Sequence, residues 1–125
     1  MVQRRFTVTG ALPYSNGRLH VGHVAGAYLP SDTYVRYLRA TGAEVRYICG
    51  SDDNGVAALK SAREAGQPVE ELTRHFNESQ PRAFVGLGIE FAIYGGTHHP
   101  DFVTLHEKFS QEFFLAMYKK GYFVK

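Results

Sequence analysis

Short runs of β-branched and aromatic residues alternate along the chain with longer stretches of helical periodicity. The strand-like runs span residues 6–12, 45–49 and 91–94, and the helical stretches span residues 21–38, 56–65, 69–85 and about 100–120. Parallel strands need long crossover connections, which are usually helices, so this alternation predicts an α/β fold with a parallel sheet. Ligands of such sheets bind beyond the carboxyl ends of the strands. The loops that follow the first two strands are therefore the expected location of a site.

Prolines and glycines divide the helical stretches. Pro30 lies inside the first helical stretch and is expected to kink it, and Pro81 is expected to interrupt the third. Gly121 is expected to cap the C-terminus of the last helix. The loop over residues 50–55, after the second strand, is rich in polar side chains, so we expect it to lie outside the core.

The last helical stretch carries apolar residues at helical spacing. These residues are Phe102, Leu105, Phe109, Phe113, Ala116 and Met117. Apolar side chains that recur every three or four positions form one face of a helix. We expect this face to pack in the core, because a globular fold normally buries such a face against another element.

The composition is that of a globular domain or of part of one. Of the 125 residues, 44% are hydrophobic and 21% are charged, and the net charge is +2. Residues 1–50 contain six Lys or Arg and two Asp or Glu, a balance that fits either a phosphate ligand or a solvated basic surface. Cys49 is the only cysteine, which excludes an internal disulfide. Without a signal-like or membrane-spanning apolar run, the expected location is the cytoplasm, and no membrane partner is expected.

A His-Val-Gly-His sequence at residues 20–23 lies between the first strand and its helix. Backbone N–H groups and the positive end of the helix dipole favour an anion at such a helix start. His20 and His23 share one helix face, where two imidazoles can hold a phosphate, and Gly22 lets a flat ligand approach the backbone. These four residues alone leave open a purely structural role and an adventitious metal site.

The residues around this motif extend it to a longer pattern. The segment from Ala11 to His23, Ala-Leu-Pro-Tyr-Ser-Asn-Gly-Arg-Leu-His-Val-Gly-His, resembles the signature of class I aminoacyl-tRNA synthetases. A Tyr-Val-Arg-Tyr run at residues 34–37 and a Gly-Ser-Asp-x-x-Gly loop at residues 50–55 make the chain similar to the methionyl-tRNA synthetases. Leucyl enzymes share part of the first segment but follow their second strand with a Gly-Trp-Asp pattern, which this chain lacks. The resemblance implies a Rossmann-like half-domain with a parallel sheet.

The resemblance also implies a reaction, in which ATP activates methionine and the methionyl group then passes to tRNA(Met). His20 and His23 would be the catalytic residues. The residues implied to bind ATP are Asn16, His20, Gly22 and His23. The residues implied to bind methionine are Ala11, Leu12, Tyr14 and Asp52. ATP would enter with Mg²⁺, and any zinc would be held by the rest of the enzyme, because no set of metal ligands is predicted in this chain.

One loop departs from the pattern of the family. An Asp-Glu-His-Gly run is common after the second strand, whereas residues 52–55 read Asp-Asp-Asn-Gly. Asn54 can still form hydrogen bonds but cannot titrate. A role of the family's histidine at this position is therefore not expected in this chain.

The resemblance assigns residues 1–125 to the first half of the class I catalytic domain. The connective insertion, the Lys-Met-Ser-Lys-Ser loop and the anticodon-binding domain lie outside it. We therefore expect this chain to act with the remainder of the synthetase and to be inactive, or nearly so, when isolated. Two alternatives are a small nucleotidyltransferase with a His-x-Gly-His motif and a free-standing half-domain that binds a nucleotide. The nucleotidyltransferase explains only His20 and His23.

Overall fold

A computed structural model describes residues 4–123 of the chain. Within this range the strands are β1 (Arg5–Thr9), β2 (Glu44–Ser51) and β3 (Ile93–Gly96). The helices of the same range are α1 (Val21–His23), α2 (Leu29–Ala40), α3 (Val56–Ala65), α4 (Val69–Gly86) and α5 (Val103–Lys119), and a π-helix (Val24–Tyr28) joins α1 to α2. Strands alternate with helices, as the sequence predicts.

The strands form one parallel sheet in the order β1-β2-β3. Phe6 of β1 pairs with Val45 of β2, and Ile48 of β2 pairs with Ile93 of β3. The predicted α/β class with a parallel sheet is therefore confirmed. All carboxyl ends of these strands meet at one edge, which brings the loops that follow them together.

The predicted bounds of the first and third strands are wrong by two or three residues. β1 ends at Thr9 rather than at residue 12, and β3 covers Ile93–Gly96 rather than residues 91–94. Beyond β1, the Gly10 N–H still donates to the Ile48 carbonyl at 2.9 Å, and the chain then leaves the ladder. The neighbouring strand decides where pairing stops, and the local sequence does not encode that neighbour.

The core lies between one face of the sheet and the helices that connect the strands. Its largest buried apolar side chains, each at most 2% exposed, are Tyr28, Val35, Tyr47, Phe84 and Ile89. The Tyr28 and Phe84 rings meet edge to face, with their centroids 4.5 Å apart. A smaller cluster joins α3 to α4 and contains Ala62, Leu72 and Phe76. This packing anchors the strands whose carboxyl ends carry the predicted site.

The helix that follows β1 changes its hydrogen-bond pattern just before Pro30. Over Val24–Tyr28 the pattern is that of a π-helix, and the Leu29 N–H donates to the Val24 carbonyl. α2 then begins at Leu29, so Pro30 lies in its first turn. The wider π-turn directly before Pro30 leaves room for the proline ring, which in a regular α-helix would crowd the carbonyl four residues earlier. The disruption expected at Pro30 thus takes the form of a π-turn followed by a new helix.

The interruption predicted at Pro81 is wrong. α4 runs continuously from Val69 to Gly86, with Pro81 in its interior. A proline inside a helix removes one hydrogen bond and crowds the preceding turn, at a cost of about 3 kcal/mol. The burial of Phe76 and Phe84 on the core side of α4 offsets that cost.

The prediction that the apolar face of the last helix packs in the core is also wrong. Leu105, Phe109 and Phe113 are 55%, 60% and 69% exposed, and no residue of α5 is buried. Leu105 and Phe109 face the open side of the sheet across a cleft rather than packing against it. The end of the helix is as predicted, because Gly121 follows it in the left-handed conformation, with φ of +73°.

Candidate functional site

The loops after β1 and β2 are joined directly by backbone hydrogen bonds. The Asp52 N–H donates to the Pro13 carbonyl at 2.8 Å, and the Ser15 N–H donates to the Asp52 carbonyl at 3.2 Å. Tyr14 and Asp52 thereby form an isolated parallel bridge. The Tyr14 side chain is 59% exposed, and Asp52 is half-buried. Two of the predicted site residues, 38 positions apart, therefore lie side by side at the carboxyl edge of the sheet.

His20 and His23 form a capping box at the start of α1. His20 Nδ1 accepts a hydrogen bond from the Gly22 N–H at 3.1 Å, and His23 Nδ1 accepts one from the His20 N–H at 3.3 Å. The two rings lie 3.8 Å apart between centroids, and both residues are exposed. Because each Nδ1 accepts, each neutral ring carries its proton on Nε2. The pair therefore presents two N–H donors away from the backbone.

Gly22 has a structural part in this arrangement. A Cβ atom at position 22 would lie 3.0 Å from Cε1 and 3.1 Å from Nδ1 of His20, closer than side chains normally pack. A side chain at residue 22 would therefore push the His20 ring away from the helix start by a few tenths of an ångström. From the sequence, Gly22 is expected to let a ligand approach the backbone. The structure shows that Gly22 also lets the His20 ring approach it.

The other predicted residues of the first loop lie between β1 and this histidine pair. Ala11 and Leu12 are exposed, and Asn16 is half-buried in the turn that follows Tyr14. The Ala11 carbonyl accepts a hydrogen bond from the Cys49 thiol at 3.3 Å. Burial raises the pKa of that thiol to about 11, so it stays protonated and remains a donor at neutral pH.

An apolar cleft opens beside Leu12, on the face of the sheet opposite the core helices. Its volume is about 430 Å³, and Thr9, Ile48 and Ile93 form its floor. Leu105 and Phe109 of α5 form its far wall. The exposed apolar side of α5 and the first loop thus border the same space.

Residues 50–55, expected to form a polar loop outside the core, begin inside β2, which extends to Ser51 rather than to residue 49, and they contain two buried polar side chains. Ser51 and Asp53 are 1% and 3% exposed. The Ser51 hydroxyl donates to the Asn77 side-chain oxygen, and the Ser15 hydroxyl donates to Asp53 Oδ1 at 2.5 Å. Within residues 4–123, every buried side-chain nitrogen or oxygen has a hydrogen-bond partner, which removes the penalty of burying these groups.

Gln80 of α4 also holds the first loop, and sequence reasoning did not identify it. Its side-chain amide donates to the Tyr14 carbonyl at 3.0 Å and to the Gly17 carbonyl at 3.3 Å, and its oxygen accepts from the Tyr94 hydroxyl at 2.9 Å. Thr73, Asn77 and Gln80 recur at helical spacing on the buried side of α4. Polar residues at helical spacing on the same side of a helix as its apolar residues are the sequence pattern that could have indicated buried hydrogen bonds here.

The two residues that depart from the family pattern contact the loop after β3. The Thr97 hydroxyl oxygen accepts hydrogen bonds from the Asp53 N–H at 2.9 Å and from the Asn54 side-chain amide at 3.2 Å.

Among residues 4–123, no three His, Cys, Asp or Glu side chains form a cluster that fits a metal ion. No helix in that part of the chain is long and apolar enough to span a bilayer.

Comparison with known proteins gives relatives along nearly the whole chain. A family model described as tRNA synthetases class I (M) matches residues 6–125. The methionine-tRNA ligase of Pyrococcus abyssi is 45% identical over 97% of this chain, and that of Flavobacterium psychrophilum is 41% identical over 98%. The chain spans only 16% and 17% of the length of these two proteins.

Solved structures of the same class share the fold. The methionyl-tRNA synthetase of Mycobacterium tuberculosis in complex with methionyl-adenylate matches 79% of this chain and 19% of its own, with a TM-score of 0.74 at 30% identity. The LeuRS of Agrobacterium radiobacter K84, in a ternary complex with tRNA and LeuAMS, matches 95% of this chain and 15% of its own, with a TM-score of 0.82 at 31% identity. With a family match from residue 6 to residue 125 and relatives above 40% identity, the chain belongs to the class I (M) tRNA synthetases.

Proposed function

We propose that this chain is the part of a methionine-tRNA ligase that binds ATP and methionine during activation of the amino acid. The relatives named above are methionine-tRNA ligases, and the chain spans about one sixth of their length. We assign residues 1–125 to the first half of the catalytic domain. The remainder of the enzyme would supply the contacts with tRNA(Met), and the reaction would take place in the cytoplasm.

In the proposed reaction, a carboxylate oxygen of methionine attacks the α-phosphorus of ATP. The bond between the α-phosphorus and the bridging oxygen to the β-phosphorus breaks, and pyrophosphate leaves with the electron pair. The terminal hydroxyl of tRNA then attacks the carbonyl carbon of methionyl-adenylate and releases AMP. Such chemistry depends mainly on positioning and on stabilising negative charge. Mg²⁺ would enter with ATP as part of the substrate, and residues 4–123 offer no cluster for zinc.

The histidine capping box carries this proposal. Since both Nδ1 atoms accept backbone hydrogen bonds, Nε2 of His20 and of His23 is the donor in each neutral ring. Two such donors at a helix start fit the oxygens of a triphosphate, whose negative charge grows as pyrophosphate leaves. Gly22 would lie under the adenosine, and Asn16 would offer its amide to the same nucleotide.

The neighbouring loop offers groups suited to methionine. The half-buried Asp52 carboxylate, bridged to Tyr14, would pair with the α-ammonium group. The Ala11 carbonyl would accept from the same ammonium group, and Leu12 borders an apolar cleft that suits a thioether side chain. These groups also separate this proposal from a small nucleotidyltransferase, which has no need of an ammonium site.

Methionine-dependent exchange of pyrophosphate into ATP tests the proposal in the full-length protein. Replacement His23→Ala removes one donor to the leaving group, so the exchange rate should fall about 100-fold. The matched control is His75→Ala on α4, an exposed histidine that caps no helix and should leave the rate unchanged. An exchange rate that is unchanged in a folded His23→Ala enzyme contradicts the assigned role.

A further inference from the structure

Asp53 is the second carboxylate of the loop after β2, and its surroundings differ from those of Asp52. It is 3% exposed, whereas Asp52 is half-buried. Its Oδ1 accepts from the Ser15 hydroxyl at 2.5 Å, and its Oδ2 accepts from the His98 N–H at 2.8 Å. Both carboxylate oxygens therefore accept hydrogen bonds within the chain, so we do not expect Asp53 to bind a ligand directly.

The space for this carboxylate exists because residue 96 is glycine. A Cβ atom on Gly96 would lie 2.5 Å from Asp53 Oδ2 and 2.7 Å from the Ser51 hydroxyl oxygen. Both distances are shorter than any packing contact, so a side chain at position 96 would displace the carboxylate. The absence of a side chain at position 96 therefore leaves room for the Asp53 carboxylate at the end of β3.

These contacts join three separate loops through one side chain. Ser15 belongs to the loop after β1, Asp53 to the loop after β2, and His98 to the loop after β3. We call Ser15, Asp53, Gly96 and the His98 backbone the loop clamp. A parallel sheet brings strand ends to one edge, but the distance between the following loops depends on contacts of this kind.

We propose that Asp53 is a positioning residue for the amino acid substrate. The inference rests on the proposed function, in which Tyr14 and Asp52 bind methionine. Ser15 follows Tyr14 and Asp53 follows Asp52, so the hydrogen bond between Ser15 and Asp53 acts together with the backbone bridge to hold the two methionine-binding residues side by side. His20 and His23 are held separately by their own capping box, so the ATP side depends less on the loop clamp.

The loop clamp predicts a selective loss of methionine binding, measured by pyrophosphate exchange with the full-length protein. Asp53→Asn removes the charged acceptor, and Ser15→Ala removes the donor. In each variant the KM for methionine should rise about tenfold, while the KM for ATP changes by less than about twofold. The double variant should be no worse than the more affected single variant, because both changes act on the same hydrogen bond, which Asp53→Asn weakens and Ser15→Ala removes. Asp101→Asn, an exposed aspartate, is the matched control.

Three outcomes would overturn the inference: unchanged KM values in folded variants, an equal rise of both KM values, and effects that multiply in the double variant. Thermal unfolding of each variant identifies a loss of fold. If Asp53→Asn fails to fold, Ser15→Ala, which removes only a hydroxyl, decides alone. Wild-type protein without methionine-dependent exchange would contradict the proposed function as well. Active wild-type protein with unchanged methionine KM in the variants contradicts the loop clamp only.

Discussion

The missing side chain of Gly22 decides where the His20 ring can lie. The Gly22 N–H donates to His20 Nδ1, and the nearest ring atom lies 3.0 Å from where a Cβ of residue 22 would be. The same contact fixes the tautomer that leaves Nε2 as a donor. One glycine therefore influences both the position and the tautomer of a proposed catalytic group.

Replacement Gly22→Ala in the full-length protein should displace the His20 ring and slow methionine-dependent pyrophosphate exchange by about tenfold or more. The fold should survive, since residue 22 is exposed. Gly86→Ala is the control, because a Cβ there meets no atom within 4 Å and should leave exchange unchanged. Exchange at the wild-type rate in Gly22→Ala would show that the ring position has no part in the reaction.

Some residues of the candidate site could be proposed from the sequence alone, and others could not. His20, Tyr14 and Asp52 were proposed as site residues because they belong to segments that resemble the signature of the family. Asp53 and Gln80 were not, because their side chains form hydrogen bonds with residues that are far away in the sequence. Asp53 binds Ser15, 38 positions away, and Gln80 binds the Tyr14 carbonyl, 66 positions away.

Two prolines show that an element responds to its surroundings as well as to its own residues. Pro30 lies in the first turn of α2, directly after the π-helix Val24–Tyr28, so its missing N–H coincides with a change of hydrogen-bond pattern. Pro81 lies in the interior of α4, where it leaves the Asn77 carbonyl without its usual helical donor. The burial of Phe76 and Phe84 holds α4 together across that position.

This difference predicts opposite responses to alanine, measured by amide hydrogen exchange in the full-length protein. Pro81→Ala restores a donor inside α4, so exchange of the amides in that helix should slow by about tenfold. Pro30→Ala adds a donor only at the junction with the π-helix and loses a fixed φ angle, so protection in the rest of α2 should stay equal or decrease. Unchanged or faster exchange in α4 of the Pro81→Ala protein would contradict this account.

At the scale of the whole molecule, one face of the sheet is covered and the other is open. The helices between the strands cover the core face, whereas the opposite face borders the cleft of about 430 Å³ and the exposed side of α5. Exposed apolar surface of this extent is typical of a surface that contacts other protein. Within the proposed enzyme, the remainder of the chain would be that protein.

A protein of residues 1–125 expressed alone should therefore self-associate and catalyse no detectable pyrophosphate exchange. Sedimentation velocity measures the association, which should weaken when Phe109 and Phe113, 60% and 69% exposed, are both replaced by Ser. The matched control is Glu107→Gln on the same helix, which leaves the apolar face intact. A monodisperse wild-type monomer, or substantial exchange by it, would contradict this prediction.

The sequence by itself determined the α/β class, the parallel sheet and the residues of the histidine motif, because these depend on periodicity and on neighbours along the chain. Only the tertiary structure decided which polar groups are buried and which apolar face is exposed. Asp53 is buried because Ser15 and the His98 N–H supply its hydrogen bonds. The apolar side of α5 is exposed because, within residues 4–123, no helix covers it. Both outcomes depend on residues far apart in sequence, which local patterns do not specify.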